Sequence, residues 1–303
     1  MFIAAIDIGG TKIKYGVVDD EGSISSQGSI QTHPKRGASD ILMRIAEVIT
    51  TMAKAYPLVG IGISATGQVD FHQGIISYAT DLIPNWIGTN IRGYFEGKFN
   101  LPVVVENDVN CIAIAEHWQG SAIGEDSFIC IALGTGIGGG IFDKGELYRG
   151  DNYGAGEFGH IKIVQNGRQC RCGDYGCYEA HASTDALISR AKVLAKLDNI
   201  DGETIFQRER NGDAPYKELV EEWIGFIADG LKNIVVSFNP KLIIIGGGVS
   251  AQGDYLLHRI EENLHQKLMP SFKKNLILKM TSAGNDSGLL GAAYLLLRNL
   301  EGK

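Results

Sequence analysis

The chain has 303 residues, 44% hydrophobic and 21% charged, the balance of an ordinary soluble globular enzyme long enough for two domains. Its 28 basic and 35 acidic residues give a net charge of -7 with no basic run, so nucleic acid is not an expected partner, because neutralising phosphates needs a basic face. No stretch nears about 18 uninterrupted apolar residues and no basic region precedes the first apolar run, so the sequence reads as cytoplasmic, without a membrane partner.

Phe2 to Ile6 reads as a buried strand, and Asp7 to Lys12 (Asp-Ile-Gly-Gly-Thr-Lys) leave its end. Gly9 and Gly10 let backbone amides approach phosphate oxygens, Thr11 and Lys12 add a hydroxyl and a positive charge, and Asp7 is suited to a metal-bound water. An ordinary glycine hairpin fits the same residues. Ile41, Leu42, Ile45, Val48, Ile49 and Met52 then recur at three and four residues, which predicts a helix from Asp40 to Tyr56 with Ser39 as its cap and Pro57 at its end. Leu58 to Ile63 is a predicted strand, Ser64 to Gln68 the loop leaving it, Leu101 to Val105 another strand, and Val109 to Trp118 another helix.

The Gly/Asp-rich stretch Gly120 to Asp126 is the expected boundary between an N-terminal α/β domain, 1–119, and a C-terminal one, 120–288. The last helix, 289–303, is expected to pack back on the first. Beyond the boundary, Ile129 to Gly145 repeats the opening pattern of apolar strand, Gly/Thr turn, apolar strand and Asp/Gly turn, so the chain reads as duplicated. Helices are predicted at Thr184 to Leu197, Tyr216 to Phe238, Tyr255 to Met269 and Gly288 to Leu300, with a strand at Lys241 to Ile245 running into the turn Gly246-Gly247-Gly248. Alternating strands and helices argue an α/β architecture with ligands at the carboxyl ends of strands. Gly134, Gly136 and Gly139 also satisfy the dinucleotide glycine spacing, but a strand follows them instead of a helix, so hydride transfer is not expected.

Three groups of residues carry chemistry. Asn107-Asp108-Val109-Asn110 stands where a strand hands over to a helix, so the Asp108 carboxylate could accept the proton of a substrate hydroxyl that attacks phosphorus; a plain helix cap is the competing reading. His160 with Cys170, Cys172 and Cys177 suits four-coordinate zinc, with no position left open for a catalytic water. A redox or incidental cysteine cluster is the alternative, while Cys111 and Cys130 lie in apolar segments and read as core. Glu157 and Glu179 flank the metal cluster, so metal binding would draw two carboxylates and one imidazole toward a polyhydroxylated ligand.

In this order the motifs resemble the ROK family of bacterial sugar kinases and regulators. The resemblance rests on Asp-Ile-Gly-Gly-Thr-Lys at Asp7, Glu-Asn-Asp-Val-Asn at Glu106, Leu-Gly-Thr-Gly-Ile-Gly-Gly-Gly at Leu133, Gly-Glu-Phe-Gly-His at Gly156, Cys-Arg-Cys-Gly-Asp-Tyr-Gly-Cys-Tyr-Glu at Cys170 and Ile-Ile-Gly-Gly-Gly-Val at Ile244. It implies two actin-like, hexokinase-like (ribonuclease H-like) domains around a central cleft, and usually a homodimer or larger oligomer. It makes Asp108 the catalytic base and gives sugar hydroxyls to Asn107, Glu157, His160 and Glu179. It assigns phosphate to Gly9, Gly10, Thr11, Lys12, Gly134, Thr135 and Gly136, adenosine to Gly246 to Gly248, Mg2+ to the vicinity of Asp7, and structural Zn2+ to His160, Cys170, Cys172 and Cys177.

The expected activity is ATP-dependent phosphorylation of a sugar hydroxyl, at C6 of a hexose such as glucose or of a derivative such as N-acetylmannosamine or a β-glucoside. The sugar would be chosen by loops holding Ser64, Gly67 and Asn85. The loop Thr80-Asp81-Leu82-Ile83-Pro84-Asn85-Trp86 departs from the Asn-Leu segment that many members carry there. A sugar-responsive regulator is the alternative. Such members carry a helix-turn-helix segment ahead of the sugar-binding part, and with Asp7 six positions after Met1 this chain is expected to lack one.

Overall fold

An antiparallel meander opens the chain: β1 (Phe2–Ile8) pairs with β2 (Lys12–Asp19), and β2 with β3 (Ile24–Gln31). Helix α1 (Ala38–Ala55) follows and leads into β4 (Leu58–Ala65), parallel to β1. A small hairpin, β5 (Gln68–Asp70) with β6 (Ile75–Tyr78), and α2 (Ile91–Phe99) precede β7 (Val103–Asn107), which lies parallel to β4 and hands over directly to α3 (Asp108–Gln119). The sheet order is β3-β2-β1-β4-β7.

The second half restates the plan. β8 (Phe128–Leu133) pairs antiparallel with β9 (Ile137–Asp143), and β10 (Glu146–Tyr148) follows. Helices α4 (Tyr178–Ala182), α5 (Thr184–Ala195), α6 (Gly202–Arg210) and α7 (Ala214–Phe238) come before β11 (Leu242–Gly246). Then α8 (Gly253–Lys267), α9 (Pro270–Lys273), β12 (Ile277–Met280) and α10 (Ser287–Leu300) complete the chain. This sheet has the order β10-β9-β8-β11-β12, with β11 parallel to both β8 and β12.

This computed structural model describes residues 1–80, 82–197 and 199–302. The chain divides into two units, one of Met1–Glu125, Gly145–Ala155 and Ser282–Lys303, the other of Asp126–Lys144 and Gly156–Thr281. In the first unit one face of the sheet buries Ile6, Ile8, Ile61 and Ile63 against Ile41, Ile45 and Ile49 of α1. On the other face, Ile3, Ala5 and Val18 pack with Leu289, Ala293 and Leu296 of α10. Helix α10 also lies close against α3, because Gly291 has no side chain to meet the Cys111 carbonyl; a Cβ there would stand 1.9 Å from that oxygen. In the second unit Ile243, Ile244 and Ile245 of β11 are fully buried, as are Ile224, Ile227 and Leu231 of α7.

One sequence expectation needs correction. Ser39 does not cap α1; the helix starts two residues earlier than expected, at Ala38, with Gly37 at the cap position and no side-chain cap bond. The amide of Ala38 is satisfied by the Pro84 carbonyl at 3.1 Å, a partner far away in sequence that local propensity cannot supply. Among the described residues no helix is long and apolar enough to cross a membrane.

Candidate active site

Three adjacent parallel strands of the first unit, β1, β4 and β7, end side by side, and their registers pair Asp7 with Ser64 and Ala65 with Asn107. The carboxyl edge of the sheet therefore gathers Asp7, Ser64, Asn107 and Asp108, as open α/β sheets gather ligand groups. Asp7 is half-buried, and Ser64, which is fully buried, donates to its Oδ1 at 2.8 Å. Burial pushes the Asp7 carboxyl up against the opposing pull of Ser64 and Lys14, whose Nζ stands 4.0 Å from Oδ2. The carboxylate also fills the space a Cβ on Gly288 would take, only 2.5 Å from the Asp7 Cγ. Next to it the turn at Gly9 closes with Gly9 N donating to Lys12 O at 3.1 Å, and Thr32 Oγ1 holds Gly9 O at 2.7 Å. Thr11 and Lys12 are exposed beyond it.

At the corner from β7 to α3, Asn107 is the cap. Its Oδ1 accepts from the amides of Val109 and Asn110 at 2.9 and 3.1 Å, while its Nδ2 donates to Gly67 O and to Asp108 Oδ1, both at 3.0 Å. All four hydrogen-bonding positions of this amide are thus occupied within the chain. Asp108 is the first residue of the helix, half-buried, and its Oδ1 also accepts from the Val109 amide at 2.9 Å. The helix start is therefore satisfied without the Asp108 carboxylate as cap, and that carboxylate is oriented by two donors.

Gly67 has φ 99°, and a Cβ there would stand 2.8 Å from the Tyr78 carbonyl, so the loop after β4 cannot take a larger residue. Trp86 is buried and donates from Nε1 to Thr66 O at 2.9 Å, which ties the loop holding Asn85 to the Ser64 to Gln68 loop. Asn85 itself is exposed with φ 58°. Asp81, singled out in that loop by the sequence, lies outside the described residues.

In the second unit β8 and β11 are neighbours, so the turns at their ends meet. A Cβ on Gly247 would be 2.3 Å from the Leu133 carbonyl oxygen, just before Gly134. The Gly134 turn closes on itself, Gly134 N donating to Gly136 O at 2.9 Å, and leaves Thr135 exposed, as is Gly248 in the other turn. Glu179 joins this edge: its Oε2 accepts from the Ile137 amide at 3.0 Å and would lie 2.2 Å from a Cβ on Gly136. Helix α4, which carries Glu179, is fixed from behind by Tyr178, whose hydroxyl donates to Ile227 O at 2.9 Å across the gap left by Gly230.

His160, Cys170, Cys172 and Cys177 offer ligand atoms that all lie within 4.8 Å of one another. Zinc bonds of about 2.3 Å to sulfur and about 2.05 Å to nitrogen at tetrahedral angles require about 3.75 Å between sulfurs and about 3.55 Å from sulfur to nitrogen. Cys172 Sγ and Cys177 Sγ are 3.7 Å apart, and Cys170 Sγ is 3.6 Å from His160 Nδ1, so the donor set fits the ion. Burial pushes the Cys177 thiol up to about 12, whereas the backbone amide at Asp174 holds Cys172 down; a cation among the sulfurs would favour the thiolate at all three. The other ring nitrogen of His160, Nε2, stands 3.9 Å from Glu157 Oε2.

The structure therefore brings the candidates into two sets: Asp7, Gly9 to Lys12, Ser64, Gly67, Asn107 and Asp108 in the first unit, and Gly134 to Gly136, Gly246 to Gly248, Glu157, His160, Glu179 and the cysteines in the second. Sequence reasoning missed Thr32, Arg149 and Gly288, whose contacts at this edge are with partners distant in sequence, and gave Glu106 no role although it lies inside a quoted motif.

The chain belongs to the ROK family, whose model matches residues 3–299. It is 35% identical to a glucokinase of Streptomyces coelicolor, with 96% of each chain covered. It is 37% identical to a beta-glucoside kinase of Listeria monocytogenes, with 98% of each covered. A ROK family glucokinase from Streptomyces griseus, solved in complex with glucose and AMPPNP, superposes with a TM-score of 0.87 at 35% identity, covering 97% of this chain and 99% of that one.

Proposed function

We propose that this chain transfers the γ-phosphoryl group of ATP to a hexose, glucose first, at the C6 hydroxyl. Relatives named glucokinase and beta-glucoside kinase support the class of reaction, and the same names keep a β-glucoside open as acceptor. The observation that carries the reading is the β7–α3 corner, where Asn107 takes the capping duty and holds the Asp108 carboxylate by one oxygen. A half-buried carboxylate so oriented is suited to take the proton of a sugar hydroxyl as its oxygen attacks phosphorus.

Glu157, Glu179 and the Nε2 side of His160 supply acceptors and a donor for further sugar hydroxyls, and Asn107 takes one in exchange for its Nδ2 bond to Gly67 O. The glycine turns at Gly9 and Gly134, with Thr11, Lys12 and Thr135, receive phosphate oxygens, and the Gly246 to Gly248 turn takes the adenosine. Asp7 is the group that would hold Mg2+ through water, a hard carboxylate oxygen suited to that ion, which when bound would offset charge on the phosphates. Zinc on His160 and the three cysteines would fix the imidazole tautomer and so the direction in which Nε2 donates.

A panel of hexoses and β-glucosides assayed for ADP release tests the reading. Asp108→Asn is expected to keep the fold and sugar binding while losing about 100- to 10,000-fold in turnover. A variant within a few-fold of the wild type would remove Asp108 from the role of base.

A further inference from the structure

Glu106, immediately before the Asn107-Asp108 pair, is only 1% exposed, yet its carboxylate has three donors. Oε1 accepts from the Asn107 amide and from Asn110 Nδ2, both at 2.9 Å, and Oε2 accepts from Arg149 Nε at 2.6 Å. Arg149 belongs to the segment Gly145–Ala155, which the chain inserts into the first unit before it passes through Gly156 to Glu157. The carbon of its guanidinium sits over the Phe71 ring, 4.0 Å from the ring centre, so the group is paired on one side and packed on another.

We propose that Arg149 is a positioning residue for phosphoryl transfer: its ion pair with Glu106, braced by Phe71, fixes the corner from which Asp108 projects and ties that corner to the segment leading into Glu157. The inference rests on the reading of Asp108 as the base. Without Arg149 the Glu106 charge is left buried and uncompensated, and either protonation or rotation of the carboxylate loosens its hold on the Asn107 amide and on Asn110. Asn107 in turn holds Asp108 Oδ1, so the disturbance reaches the base in two steps, and a displacement of about 1 Å there can cost about 100-fold in rate. A lysine restores the charge but neither the directed Nε bond to Glu106 nor the packing of a flat guanidinium on Phe71.

The test compares wild type, Arg149→Met and Arg149→Lys in sugar-dependent ADP release, with rates expressed per folded molecule, and follows amide hydrogen exchange at residues 107–110. The expected result for Arg149→Met is kcat reduced by about tenfold or more, KM for ATP within about twofold of wild type, and faster exchange at Val109 and Asn110. Arg149→Lys is expected to fall between the two, and if Arg149→Met does not fold it carries the same comparison. A purely structural residue would lower the folded fraction alone, so an unchanged kcat per folded molecule overturns the proposal. A wild type that phosphorylates no sugar defeats the functional reading instead. The exchange data then decide, because wild-type protection at Val109 and Asn110 in the variants overturns the positioning role and lost protection supports it.

Discussion

Gly288 shows how one missing methyl group shapes the site. Replacing a helical glycine by alanine ordinarily stabilises by about 0.5–1 kcal/mol, but here the new Cβ would meet the Asp7 carboxyl group at 2.5 Å. Gly288→Ala is therefore expected to lower stability instead of raising it and to raise KM for Mg-ATP several-fold, as read in a thermal melt and the ADP assay. His181 makes a second prediction at this scale. Its Nε2 accepts from the Arg168 amide at 3.1 Å, so Nδ1 carries the proton, buried and without a partner. Burial first, and the neighbouring Arg168 charge second, hold the imidazole below its ordinary value of 6.5. The unfolded chain thus takes up the proton more readily, so this residue's contribution to stability is complete above 6.5 and is lost as pH falls from there through the lower value of the folded state. Melting temperature should drop between about pH 7 and 5, and drop less in His181→Gln; equal slopes would contradict the assignment.

At the scale of elements, the loop from His160 to Cys177 is mostly exposed or half-buried, closes through backbone bonds such as Ile163 N to Gly176 O and Cys170 N to Asp174 O, and gathers its four candidate ligand side chains beside them. Metal removal is expected to lower the melting temperature and to deprotect amides between Ile161 and Tyr178 while leaving β1 to β4 unaffected. One zinc per chain by elemental analysis, lost in Cys177→Ser, is the accompanying result. The grouping of these four side chains was legible in the sequence because they lie within 18 positions and the chemistry they suggest is peculiar to cysteine and histidine. Helix α1 was legible through its periodic apolar face, but its start was not, since Pro84 supplies the acceptor. Arg149 was illegible for the same reason: Glu106 lies 43 residues away, and nothing in an isolated arginine points to a buried partner.

For the whole molecule, the repeated strand and glycine-turn pattern foretold a duplicated plan, and the two sheets have it: each is a meander joined by two parallel strands, in the orders β3-β2-β1-β4-β7 and β10-β9-β8-β11-β12. Apolar runs and glycines announce such strands because they are what buried, close-packed sheets require. What the pattern does not carry is which strand ends become neighbours, and that register places Asp7 beside Ser64 and Asn107 beside Ala65. The motifs offer candidates for the reacting groups; the hydrogen bonds at the β7–α3 corner show how Asp108 is held. The most direct test is a crystal structure with a hexose and a non-hydrolysable ATP analogue bound. The account predicts an Asp108 carboxylate oxygen within about 2.6–3.2 Å of the C6 hydroxyl. A bound hexose whose hydroxyls all lie beyond hydrogen-bonding reach of that carboxylate would contradict it.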